Sequence, residues 1–152
     1  MTATIHAILR TYWRDAGDEP ARFAQPDIAC HEIERCYQVR LPEDFKSYLV
    51  LSAPEEDYWD RENVIWWSPA SIKNIPNEYQ TAVSDSSIAA VAEKCLFFAD
   101  YMAWCWAWAI CCDEGPNHGK VALVGGAPDR WVAESFTEFV NNYVRDPMFI
   151  HQ

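Results

Sequence analysis

Positive charge is scarce in this sequence: twelve Lys and Arg stand against twenty-three Asp and Glu, a formal net charge of −11 over 152 residues. Such a surface would repel a phosphate backbone rather than neutralise it, which excludes general nucleic-acid binding. No stretch reaches the ~20 apolar residues that a membrane-spanning helix needs, and the most apolar segment, 95–112, is interrupted by Asp100. The N-terminus lacks a basic region followed by an apolar run, so no secretory signal is read and a cytoplasmic location is expected. Glycine is also sparse. Gly125-Gly126 is the only glycine pair, and there is no G-x-G-x-x-G, no P-loop and no G-x-S-x-G elbow.

None of the six cysteines sits in a C-x-x-C, which removes zinc ribbons and thioredoxin-like redox pairs. Without export there is no oxidising compartment, so Cys30, Cys36, Cys95, Cys105, Cys111 and Cys112 are expected as buried, reduced thiols. The four histidines, His6, His31, His118 and His151, are dispersed, and none neighbours a nucleophile motif. His31 with Cys30 and Cys36, or His118 with Cys111 and Cys112, has no recognised metal-ligand spacing. The chain therefore reads as non-enzymatic, with no catalytic residue, no metal and no cofactor expected.

Hydrophobic and aromatic residues are plentiful. Half of the residues are hydrophobic and eight are Trp. The length suits one domain over 1–152, large enough to bury ~70% of its unfolded surface. From Met102 the sequence alternates with a period of two: Met102, Trp104, Trp106, Trp108 and Ile110 against Ala103, Cys105, Ala107, Ala109 and Cys111. That pattern predicts a strand over 101–111 with one bulky and one small face. The small face invites a closely packed layer. The Trp face needs either a deep core or a partner to cover it.

Helical stripes lie on either side of this strand. Ile5, Ile8, Leu9, Tyr12 and Trp13 mark an amphipathic helix ended by 15–18 and Pro20, and Ala29, Ile33, Cys36 and Tyr37 mark a second with Pro26 in its first turn. Pro42 starts a third, with Glu43 and Asp44 at the positive end of its dipole. Short strands are expected at 63–67, 96–98, 120–124 and 130–133, a helix start at Ser68-Pro69, and irregular chain over 74–87. Ser135-Phe-Thr-Glu138 is a capping box opening a last helix with Phe136, Phe139, Val140, Tyr143 and Val144 inward. Helices at both ends with grouped strands between them describe an α+β domain, a mainly antiparallel sheet backed by helices.

One segment points to recognition. Glu55, Glu56, Asp57, Asp60 and Glu62 place five carboxylates in eight residues beside Tyr58 and Trp59. Aromatic anchors in a charged rim are the composition of binding hot spots. Read as an acidic loop, 55–62 would face a basic protein partner, with Asp113 and Glu114 added if the turn at 113–119 lies nearby.

Four segments in order, Glu34 to Leu49 with its Leu41-Pro42, Trp66 to Ile72, Phe97-Phe-Ala-Asp-Tyr101 with the strand after it, and Val132 to Phe139, resemble the SUKH superfamily of Smi/Knr-like proteins. The resemblance covers about residues 25–147, leaving 1–24 as an N-terminal helix and loop. It implies one SUKH-like α+β domain and, for the bacterial branch, an immunity protein that binds and neutralises a polymorphic toxin, often a nuclease. The implied partner is a basic toxin domain, not a nucleic acid or a membrane, and the oligomeric state is left open between monomer and weak dimer. The alternative it implies is a regulatory scaffold bridging host proteins, as for the yeast cell-wall regulators. The chain departs from the family pattern in having Ser52-Ala-Pro54 where a glycine turn is usual and three Trp on the alternating strand, so the shape of 52–63 and the cover of the Trp face stay open.

Overall fold

A seven-stranded antiparallel sheet separates a thick helical layer from a thinner one, giving an α+β domain. The computed structural model describes residues 4–17, 19–20 and 26–152. Asp18 of the first helix's expected stop and the other positions of the 1–24 segment at 1–3 and 21–24 lie outside the described residues. The helices are α1 (Ile5–Asp15), α2 (Pro26–Tyr37), α3 (Glu43–Leu51), α4 (Ile75–Glu78), α5 (Ser86–Ala89) and α6 (Phe136–Arg145). The strands are β1 (Tyr58–Trp59), β2 (Val64–Trp66), β3 (Lys73–Asn74), β4 (Cys95–Tyr101), β5 (Trp106–Cys111), β6 (Val121–Val124) and β7 (Arg130–Ala133). Their order is β1-β2-β4-β5-β6-β7, and β3 shares with β2 the same side of β4. No helix among the described residues is long and apolar enough to cross a membrane.

The helical layer follows from the stripes. Leu9 and Trp13 of α1, Phe45 and Tyr48 of α3, and Phe136, Phe139 and Tyr143 of α6 are buried against Trp66, Phe98 and Trp108 of the sheet. Trp66 is the hub, with ring centroids of Trp13 at 5.4 Å, Tyr143 at 5.4 Å and Tyr48 at 6.2 Å. Edge-to-face rings of this kind add to their burial. In α2, however, Cys30 and Ile33 form the buried face while Cys36 is exposed, and Cys105 is exposed too. Only four of the six thiols are core residues; α2 is rotated relative to the expected stripe.

The strand expected over 101–111 is broken. Residues 102–105 form the turn of the β4–β5 hairpin, with positive φ at Met102 (48°), Ala103 (55°) and Trp104 (74°). The Cys105 N–H donates to the Tyr101 carbonyl at 2.8 Å, and the Asp100 carboxylate accepts the Trp104 N–H at 2.6 Å. These bonds hold a turn that carries no glycine. Trp104 is therefore swung to the face opposite Trp106 and Trp108, where it meets Phe97 at 5.2 Å. The Trp106–Trp108 face is covered: Trp108 is fully buried and its indole N–H donates to the Ile150 carbonyl at 3.0 Å. Left-handed backbone costs a non-glycine residue about 1 kcal/mol or more. Ala103→Gly should accordingly raise stability by about 0.5 to 1 kcal/mol net of glycine's greater unfolded freedom; chemical denaturation measures it, and a loss of stability would contradict the strain.

The C-terminal turn 149–151 closes over this face. The Trp106 indole N–H donates to His151 Nδ1 at 3.0 Å, and Arg130 donates to the His151 carbonyl at 2.6 Å. Burial lowers the His151 pKa below its ordinary value. The unfolded imidazole then takes up a proton more readily than the folded one, so this contribution is full above the ordinary value of about 6.5 and is lost as pH falls below it. The melting temperature should drop more steeply between pH 7.5 and 5.5 in the wild type than in His151→Gln; parallel curves would remove His151 from the pH response.

The thin layer differs from expectation in its details. Where irregular chain is expected over 74–87, α4 forms within the segment and α5 starts at its end, one-turn helices capped by the side chains of Asn74 and Asp85. Asp85 is held below its usual carboxylate range chiefly by the Ser87 hydroxyl. Ser68-Pro69 opens a single 3-10 turn, Pro69–Ser71, rather than a helix. At α6 the Ser135 hydroxyl accepts the Glu138 N–H at 3.0 Å, while Glu138 reaches one residue further back, to the Glu134 N–H at 2.7 Å.

Candidate functional site

Sheet register carries the acidic–aromatic segment to an edge. Residues 55–62 are not wholly a loop, because Tyr58 and Trp59 form edge strand β1, with Tyr58 opposite Trp66 and Trp59 opposite Ile65. Side chains alternate across a strand. Tyr58 thus turns to the helical layer, its ring 5.3 Å from Trp13, while Trp59 lies on the other face and is 53% exposed. Trp59, Ile65, Asp100, Ala107 and Val124 form one row across five strands.

The nine residues singled out by sequence do not form one patch. Glu55, Glu56 and Asp57 are exposed at the β1 edge. Asp60, expected at the surface, is buried at 5% exposure. Its carboxylate accepts from the N–H of Glu62 at 2.9 Å, of Val64 at 3.0 Å and of the Trp66 indole at 2.9 Å, and from the Tyr143 hydroxyl. Burial raises its pKa, and these four donors oppose the rise. A buried carboxylate is tolerated only when so satisfied, so Asp60 is a structural tie between the β1–β2 turn and α6. Glu62 points to α1, accepting from the Tyr12 hydroxyl at 3.2 Å. Asp113 and Glu114 follow β5 at the other end of the hairpin, where Glu114 pairs with Arg40 at 3.7 Å and both line a cleft separate from Asp57.

A larger cleft opens beside β1. Between β2 and β3 the chain leaves the sheet through the 3-10 turn at 69–71, and the gap becomes a cleft of about 520 Å³. Asp57, Trp67, Lys73, Glu78, Asp100 and Trp104 supply its polar and aromatic lining. Asp100 is 4% exposed; its two oxygens accept from the Trp67 indole N–H and the Trp104 backbone N–H, both at 2.6 Å. The Trp104 indole N–H donates to Glu78 at 2.9 Å, and Asp57 accepts the Ser68 N–H at 2.8 Å. Burial raises the Asp100 pKa, the charges of Asp57 and Glu78 raise it further, and the two N–H bonds hold it down. Lys73, the one cation among the described residues of the lining, reaches Glu78 at 3.5 Å and is half-exposed.

Among the described residues, Ser71 is the only hydroxyl nucleophile in this lining; its Oγ lies 3.2 Å from the Ser68 hydroxyl, with no described His or Cys in the lining beside it. Among the described residues, no group of three or more His, Cys, Asp or Glu is placed to hold a metal ion. The arrangement is suited to fixed negative charge between indole walls. Of its members, only Asp57 was singled out by sequence. Trp67 and Glu78 gave no site signal, Trp104 showed only as part of a Trp face left open between core and partner, and Asp100 showed only as a charge inside an apolar run.

No family model matches the chain, and no curated protein matches it either.

Proposed function

We propose that this protein is a SUKH-type immunity protein that binds a basic toxin domain one to one, without chemistry of its own. The observation that carries the reading is the continuity of the exposed edge Glu55-Glu56-Asp57 and Trp59 with the cleft of Glu78 and Asp100. A nuclease toxin must attract phosphate, so its active face is basic, and an acidic edge is complementary to it. Trp59 supplies the large rigid ring on which interface energy concentrates. The α+β fold agrees with what the family resemblance implies, and the net charge of −11 supports electrostatic steering at low salt.

Capture on the immobilised protein from lysate of its native cells, eluted in salt steps, tests this. The expected result is one basic toxin domain that leaves over a salt gradient, saturates at one to one, and no longer kills cells that co-express this chain. Several host proteins that never saturate at one to one would replace immunity by the bridging role.

A further inference from the structure

We propose that the cleft beside β2 is a socket for one arginine side chain of the partner, a step that rests on the toxin-binding reading above. Six stretches build it: the β1 edge, the end of β2, the 3-10 turn, the β3–α4 corner, the end of β4 and the hairpin turn. Among the described residues its charge is unbalanced, with Asp57, Glu78 and Asp100 set against Lys73. Lys73 is spent on Glu78, at 3.5 Å, and is half-exposed.

The carboxylates are aimed by the protein rather than free to relax. Asp100 is fixed by two 2.6 Å bonds, Glu78 by the Trp104 indole and Asp57 by the Ser68 N–H. Each carboxylate has about four lone-pair sites, so all three keep acceptor capacity. After burial, the charges of Asp57 and Glu78 raise the Asp100 pKa, and a cation held among the three carboxylates would offset that repulsion.

The walls select the kind of cation. Trp67 and Trp104 have committed their indole N–H donors to Asp100 and Glu78, so Trp104, the more exposed of the two, offers a ligand ring surface. Trp104 is held rigid, stacked on Tyr79 at 5.8 Å and 5°. A cleft of about 520 Å³ is far too large for a bare metal ion and takes a side chain with part of its backbone. A planar guanidinium stacks on aromatic faces and bonds carboxylates bidentately, whereas an ammonium is a strongly hydrated point charge. The three left-handed residues of the hairpin turn are the strained support that presents Trp104 to this space.

The test uses the intact chain and two amides, N-acetyl-arginine amide and its uncharged analogue of equal shape, N-acetyl-citrulline amide. Indole N–H signals of Trp67 and Trp104 are followed by NMR. The arginine probe should shift both signals saturably and the citrulline probe should bind at least about tenfold more weakly. Glu78→Gln and Asp57→Asn, which keep an acceptor oxygen, should each weaken the arginine probe several-fold, while unchanged signals from Trp66 and Trp108 show an intact fold. Equal response to both probes, or no saturation, overturns the socket. If the arginine probe fails while a captured toxin still binds, the socket is wrong and the immunity reading stands. If the probe saturates but no basic partner is captured, the socket stands and the immunity reading falls.

Discussion

Asp60→Ala should cost about 4 kcal/mol of folding stability, a large share of the roughly 5–15 kcal/mol that a folded domain has to lose. Four donors converge on that carboxylate, from Glu62, Val64, Trp66 and Tyr143, and Asp60 itself is 5% exposed. Alanine leaves these donors unpaired where water has little access, and the cost of an orphaned buried donor is far larger than the net gain from a made bond. Asp60→Asn keeps one acceptor oxygen and turns an NH2 toward the remaining donors, so about half of the loss is expected there. Because burial raises the Asp60 pKa, the folded state binds a proton more tightly than the unfolded chain. Its contribution to stability therefore falls as pH rises above the ordinary carboxylate value of about 3.9, and the Asn variant should lack that slope. Urea denaturation of both variants at two pH values measures all of this. An Ala variant within about 0.5 kcal/mol of wild type, the scatter of an exposed substitution, would mean the cluster is solvated.

The second large effect is on association. Reversing Glu55, Glu56 and Asp57 to Lys should slow binding to the basic partner by about ten- to a hundredfold at low salt and flatten its salt dependence. The three residues are exposed at the edge of the sheet, so the fold should survive. Asp57 also accepts the Ser68 N–H at 2.8 Å; the Glu55→Lys, Glu56→Lys double variant leaves that bond intact and separates steering from local structure. Stopped-flow association at two ionic strengths is the measurement, and an unchanged rate would take this edge out of the interface.

How much was legible depended on whether a feature is local. The stripes of α1 and α6, the proline start of α3 and the Ser135 cap are properties of consecutive residues, and they stand in the structure where periodicity and capping chemistry put them. The break at 102–105 is different. Alternating Ala, Trp and Cys satisfies a strand pattern on every count, and nothing marks a left-handed turn without glycine or asparagine. The turn is held by the side chain of Asp100 on the Trp104 N–H, a contact that alternation does not encode. Asp60 shows the same limit. Its place within an acidic run says surface, but Tyr143, 83 residues away, makes it core. The cleft was invisible for that reason too: Asp57 just before β1, Glu78 in α4 and Asp100 in β4 are far apart in sequence and meet only through β4 and the chain's exit at 69–71.

Growth protection tests the account most directly. Cells producing the captured toxin domain together with this chain should grow, and cells producing the same toxin with the Glu55→Lys, Glu56→Lys, Asp57→Lys variant, shown to be folded, should not. Equal protection by the variant would contradict recognition through the acidic edge, and no protection by the wild-type chain would contradict immunity itself.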